Sequence, residues 1–124
     1  MDYLLIGLGG FLGANARYLV ASWTAQLWRG QFPLGTFLAN ISGSCLLGVL
    51  MGLLQDQPAQ VPHYRLFFAI GFLGAYTTFS TFSFETLRLL QDGFFFYAVL
   101  NIGGSIGIGL VGVFLGFLLG SMIR

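Results

Sequence analysis

The sequence predicts an all-α integral membrane protein with four transmembrane helices, the third of them broken, and three observations carry that reading. More than half of the 124 residues are hydrophobic and only 7% are charged, too little charge to keep a soluble domain of this size dispersed in water. Nineteen glycines in so apolar a chain suit packed membrane helices, where small residues let backbones approach closely. Long apolar segments alternate with short polar connections, and each segment supplies the roughly 20 residues a helix needs to cross about 30 Å of hydrocarbon.

The first segment runs from about Tyr3 to Thr24 and the second from Leu34 to Leu54. The third runs from Leu66 to Leu90 and the fourth from Phe94 to Met122, together making one four-helix domain over residues 1–124. The connections read as helix ends. TAQLWRGQFP closes the first segment and opens the second, with Pro33 in a first helical turn, where its missing N–H costs nothing. QDQPAQVPHY holds Asp56, Pro58, Pro62 and the only histidine, His63, which reads as a solvated loop residue. Gln91-Asp92-Gly93 is a minimal turn. Tyr3, Trp23, Trp28, Tyr64 and Tyr97 fall near the predicted ends, as interfacial aromatics do. Asp2 stands where a secretory signal would carry basic residues, so no cleaved signal is expected.

Several classes are excluded. A net charge of +1 from five scattered arginines and no lysine leaves no nucleic-acid footprint. Cys45 is alone in an apolar run, which rules out disulfide scaffolds and cysteine metal clusters; it reads as a small buried hydrophobe. No serine has a general base beside it and no histidine–carboxylate pair is placed for zinc, so no enzyme is read.

An even number of spans puts both termini on one side of the membrane. Arg65 and Arg124 then lie on the terminal side, Arg29 and Arg88 on the other, and the positive-inside rule casts no vote. That balance permits insertion both ways and an antiparallel homodimer. Small residues recur at intervals of four: Gly9 and Gly13; Ser44, Gly48 and Gly52; Gly103 and Gly107; Gly112, Gly116 and Gly120. Such ridges serve tight packing within one chain or a dimer face.

The informative stretch is Gly71–Glu85, GFLGAYTTFSTFSFE. Inside a spanning segment it carries the hydroxyls of Tyr76, Thr77, Thr78, Ser80, Thr81 and Ser83, which in lipid need partners. Gly71 and Gly74 loosen the backbone at its start, as in a membrane helix that is interrupted. Arg17 in the first span and Glu85 in the third fall in the same half of the membrane. They lower each other's burial cost if they pair; otherwise Arg17 snorkels to the interface and Glu85 faces loop water.

Asn40 in the second span offers two donors and a carbonyl acceptor where water is scarce. Asn101 and Ser105 do the same in the fourth, and Asn15 more weakly in the first. Each is either helix glue or part of a polar track. The track is rich in neutral donors and nearly free of acids, which suits an anion better than a cation. Phe79 and Phe82 share a helical face, and their ring edges carry partial positive charge. They read either as packed core or as edges turned toward an anion.

At this point a resemblance enters. Over nearly its full length the chain resembles the CrcB or Fluc family of small bacterial fluoride channels. The segments that carry the likeness are GGFLGANARY, PLGTFLANISGSCLLG, GFLGAYTTFSTFSFE and NIGGSIG. The resemblance implies a passive fluoride channel of the bacterial inner membrane, built as an antiparallel dual-topology homodimer in the lipid bilayer, with two fluoride pathways near the subunit interface. It implies that Asn40, in its GTxxxN context, is the pore asparagine and that Phe79 and Phe82 are the ring-edge phenylalanines that contact fluoride. Ser80, Thr81 and Ser83 would belong to the hydroxyl wall, continued by Asn101 and Ser105.

It implies further that backbone carbonyls of Gly74 and Thr77, from both subunits, hold a structural sodium ion that is not transported. Glu85 matches the glutamate closing the motif and Arg17 the arginine of the first span. The chain departs from the family pattern at Ala75, where a second glycine is usual, and at Gly109, which offers no hydroxyl; the break is expected to survive the first departure. Two rivals stay open. One is a small dual-topology exporter of cationic compounds, which would depend on Glu85; the other is a structural protein without transport.

Overall fold

The computed structural model describes residues 1–57 and 62–124. Pro58 and its neighbours to residue 61, part of the second connection, lie outside the described residues. The chain forms α1 (Asp2–Leu27), α2 (Leu34–Leu54), a π-helix (Arg65–Leu73), α3 (Gly74–Tyr76), α4 (Phe79–Gln91) and α5 (Phe95–Ile123). With the three pieces from Arg65 to Gln91 taken as one span, these make four helices long and apolar enough to cross a membrane. The protein is a multi-pass membrane protein.

The ends follow from local chemistry. Pro33 caps α2 with φ near −77°, and its carbonyl accepts from the Phe37 N–H at 3.1 Å. After α4, Gly93 takes φ +82°, a left-handed conformation that glycine adopts without strain. This lets the Phe94 N–H reach the Leu89 carbonyl at 2.8 Å and the Gly93 N–H reach Leu90 at 3.2 Å. That paired closure satisfies the last carbonyls of α4 and reverses the chain in minimal length. α1 runs on to Leu27 rather than stopping at Thr24. Tyr3, Trp23, Trp28 and Tyr64 are exposed near span ends, and His63 is exposed at the start of the third span.

The spans associate as two parallel pairs, each closed on glycine. Between α1 and the π-helix, a Cβ added at Gly9 would strike the Phe67 carbonyl oxygen, and one at Gly13 the Phe72 carbonyl oxygen. A π turn closes on the fifth residue and an α turn on the fourth. Phe67 and Phe72 therefore stand one turn apart, opposite glycines that are also one turn apart. Between α2 and α5 the fit is reciprocal. Gly48 and Gly52 lie against the Val113 and Phe117 carbonyls, while Gly116 and Gly120 lie against those of Cys45 and Val49. Of the predicted ridges, only Gly103 and Gly107 meet nothing within 4 Å.

A small core of Ala39, Leu73 and Tyr76, with Ala16, Val20, Leu47 and Phe72 around it, joins the two pairs. Most other large apolar side chains point outward, as lipid-facing residues do. At the terminal side Arg124 forms an ion pair with Asp56, so α2 and α5 end together.

The third span breaks, but three residues beyond Gly74. Gly74 is helical, with φ −61° and ψ −35°. The chain extends instead at Thr77 (φ −84°, ψ 156°) and Thr78 (φ −152°, ψ 119°). Ala75 lies within the helical turn, so the alanine there is accommodated without any special backbone.

Gly13→Ala forces α1 and the π-helix apart and is expected to cost about 1–3 kcal/mol. The readout is a lower thermal unfolding midpoint for purified protein in detergent. Gly7→Ala, with nothing within 4 Å, is expected to leave that midpoint unmoved or raise it.

Candidate functional site

A helix that stops inside a membrane must find partners for its loose backbone groups, each costing several kcal/mol if left alone. Here one side chain serves two of them. The Thr78 N–H donates to Asn40 Oδ1 at 2.8 Å, and Asn40 Nδ2 donates to the Thr78 carbonyl at 3.1 Å. The amide of α2 thus pairs with Thr78 as a neighbouring strand would. Thr78 then caps α4: its Oγ1 accepts from the Thr81 N–H at 3.3 Å and bonds Thr81 Oγ1 at 3.1 Å, a threonine N-cap.

The break takes the helical donors from four carbonyls, those of Gly74 and Thr77 among them. In an unbroken helix the Thr78 N–H would bond the Gly74 carbonyl and the Thr81 N–H that of Thr77. Both donors are spent elsewhere, on Asn40 and on Thr78 Oγ1. Carbonyls left without helical donors are oxygen ligands of the kind a hard cation takes.

Beside the break lies an open cavity of about 350 Å³. Asn40, Ser44, Gly74, Thr77, Thr78, Phe79, Phe82 and Ser105 all contribute to its wall. The Phe79 and Phe82 rings lie 5.8 Å apart at a tilt of 39°, and Phe79 is 80% exposed in the middle of a spanning segment. Ser80 and Ser83 are exposed on α4, outside this wall; Ser83 Oγ donates to the Phe79 carbonyl at 2.9 Å. Thr81 is occupied with the cap.

Sequence reasoning passed over two residues here. Ser44, read only as a member of a small-residue ridge, lines the cavity. Its Oγ lies 3.9 Å from where a Cβ at Gly109 would stand, which puts a hydroxyl on α2 near the place where α5 lacks one. Thr86 lies one residue past the polar run and is buried against α5, where its Oγ1 accepts from Asn101 Nδ2 at 2.9 Å. Asn101 is itself 1% exposed and lies behind Ser105, which reaches the cavity.

Glu85 and Arg17 do not meet. Glu85 Oε1 accepts from Thr36 Oγ1, at the start of α2, at 2.9 Å. Its other oxygen, Oε2, is buried without a partner. Among the described residues the one ion pair is Arg124 with Asp56. Asn15 bonds its own helix at the Phe11 carbonyl, 2.6 Å away, and takes no part in the cavity.

Comparison with known proteins covers almost the whole chain. A family model described as CrcB-like protein, Camphor Resistance (CrcB), matches residues 4–117. A fluoride-specific ion channel FluC of Acidobacterium capsulatum is 45% identical over 99% of this chain and 98% of its own length. The FluC proteins of Solibacter usitatus and Clostridium novyi are 41% and 38% identical, over 96% and 97% of this chain and 98% and 94% of their own.

Asn40→Leu strands both the N–H and the carbonyl of Thr78, each at a cost of about 1–3 kcal/mol. The expected outcome is a lower unfolding midpoint together with at least about tenfold faster hydrogen exchange at the Thr78 amide. Unchanged exchange there would show that the break holds without Asn40.

Proposed function

The chain belongs to the CrcB-like family, and from that premise we propose that it is a fluoride-selective ion channel, letting fluoride leave the cell passively and so limiting its toxicity. The observation that carries the proposal is the lining of a single cavity by Asn40, Phe79, Phe82 and Ser105 beside a broken membrane helix. Fluoride is small, strongly hydrated and a strong hydrogen-bond acceptor. A narrow wall of amides and hydroxyls replaces its water, while a larger halide fits such a wall poorly.

Each residue has a role in this reading. The Asn40 amide has two N–H groups, one spent on Thr78 and the other left for the ion. Phe79 and Phe82 turn ring edges toward it, attractive without charge and so weak enough to release it. Ser105 and Ser44 supply hydroxyls along the wall, with Asn101 behind Ser105. Ser80, Thr81 and Ser83 continue the polar surface of α4, Ser83 as the lesser donor because its proton lies on the Phe79 carbonyl. Arg17 and Glu85 are structural polar groups near one end of the route.

A second copy of the chain, antiparallel to the first, completes the site. Phe79, Ser80 and Ser83 would otherwise face lipid from mid-membrane, and the Gly103–Gly107 ridge has no partner within the protomer. In this homodimer the freed carbonyls of Gly74 and Thr77, from both subunits, would hold a structural sodium ion. Sodium takes oxygen ligands of this kind, and bound there it supplies positive charge that favours anions nearby.

The test is ion efflux from liposomes carrying purified protein in sodium buffer. Rapid fluoride release with chloride retained is the expected result, and Asn40→Ala or Phe82→Ile should cut it by about tenfold or more. Release of neither ion by folded protein would overturn the reading. Replacing sodium on both faces by a large organic cation should abolish flux, and undiminished flux would remove the sodium site from the proposal.

A further inference from the structure

Five hydroxyls of the spans share one arrangement. Thr24, Ser42, Thr77, Ser83 and Thr86 each donate to the backbone carbonyl four residues earlier, on Val20, Leu38, Leu73, Phe79 and Phe82. This satisfies the proton within the same helix and draws the hydroxyl down onto the backbone. Ser105 sits well inside α5 with the same option and does not take it. Its Oγ donates instead to the side-chain Oδ1 of Asn101, at 3.3 Å, and it lines the cavity.

The cause lies on α4. Thr86 gives its only hydroxyl proton to the Phe82 carbonyl at 2.8 Å, so it offers α5 nothing but lone pairs. Only the nitrogen end of the Asn101 amide can meet it, and Nδ2 donates to Thr86 Oγ1 at 2.9 Å. The amide is thereby turned one way, with its carbonyl end toward Ser105. Asn101 is 1% exposed and Thr86 7%, so solvent does not compete for either group.

We propose that Thr86 is a positioning residue for the anion path. Acting through Asn101, it holds the Ser105 hydroxyl off its own helix backbone and in the wall of the cavity. Remove the Thr86 hydroxyl, and the Asn101 nitrogen loses its acceptor and the amide is free to turn over. Ser105 then loses its side-chain acceptor and falls back on the Asn101 backbone carbonyl, withdrawing from the wall. The Ser105 bond is long, and hence weak, which lets the proton swing to a passing anion and return once the ion has left. The inference rests on the channel reading above.

The experiment compares initial fluoride efflux from liposomes for wild type, Thr86→Val, Thr86→Ser, Ser105→Ala and the Thr86→Val/Ser105→Ala double variant. Thr86→Val keeps the shape and should lower efflux about three- to tenfold, to the level of Ser105→Ala. Thr86→Ser restores the hydroxyl and should restore the rate. The double variant should fall no further than either single one, because both act through one hydroxyl. Wild-type efflux in Thr86→Val, failure of Thr86→Ser to rescue, or multiplied losses in the double variant would each overturn the proposal. The Asn101 side-chain amide resonances of 15N-labelled protein give a readout independent of flux. They should shift in Thr86→Val and stay in place in Thr86→Ser, and no shift in Thr86→Val overturns the relay. Should wild-type protein carry no fluoride, the channel reading fails, while these resonances still decide the relay.

Discussion

Asn40 meets both backbone groups of Thr78, and a helix that stops inside a membrane depends on contacts of this kind. Water would cap a broken end at a soluble surface; hydrocarbon cannot. Because a single amide supplies both an acceptor and a donor, the second span must come within hydrogen-bonding reach of the break and at one height. The Asn40–Thr78 pair therefore constrains how α2 sits against the third span as much as it shapes the backbone at Thr77 and Thr78.

Gly43 lets α2 lie against Thr77 and Tyr76 at the break, and other glycines close each pair of spans. Gly48, Gly52, Gly116 and Gly120 bring α2 and α5 backbone to backbone, and Gly9 and Gly13 do the same for α1 and the π-helix. Each pair is rigid because a close backbone contact tolerates little sliding. What joins the pairs is mixed: the Ala39, Leu73 and Tyr76 core, Gly35 and Gly43 of α2 against Ala21 and Thr77, and the hydrogen bonds of Ser42, Thr36, Asn40 and Asn101 with Tyr76, Glu85, Thr78 and Thr86. The break lies at this junction. Polar chemistry thus falls where two glycine-packed halves meet through hydrogen bonds as well as apolar contacts, and there a cavity can persist without unravelling either half.

The spans were legible because lipid imposes length and apolarity together, and α2 occupies the residues expected. The segment containing the break was legible from its hydroxyls, and the resemblance put Gly74 and Thr77 at it, but the side chain that holds it was not legible. Glycine drew attention to position 74, whereas the conformation is set at Thr78 by a side chain 38 positions away, which periodicity within one segment cannot reveal. The π winding of Arg65–Leu73 left no mark in RLFFAIGFL; its register makes sense only against the glycines of α1. Whether Arg17 and Glu85 pair stays open in the sequence, because only their membrane depth can be read there. Depth says nothing of neighbours, and Thr36 took the carboxylate. Thr86 was missed because it looked like the tail of a polar run, though it faces α5 and not the cavity.

Residue type alone is a poor guide to which hydroxyls face an ion, and the destination of the proton is a better one. A serine or threonine bonded to the carbonyl four residues back has settled its only donor inside its own helix, so it presents chiefly lone pairs outward and suits an anion badly. Thr77, Ser83 and Thr86 are of that kind. Ser105, inside α5, is diverted from that carbonyl to the Asn101 side chain, and Thr36 and Thr78, at helix starts, give their protons to Glu85 and Thr81; each is held by a second side chain whose grip a competing acceptor can break. An anion path through neutral groups needs donors that are satisfied when the ion is absent and surrendered when it arrives. By that criterion Ser105 qualifies on α5 for the proposed path, and Asn101 and Thr86, which would keep it available, would belong to that path although neither lines the cavity.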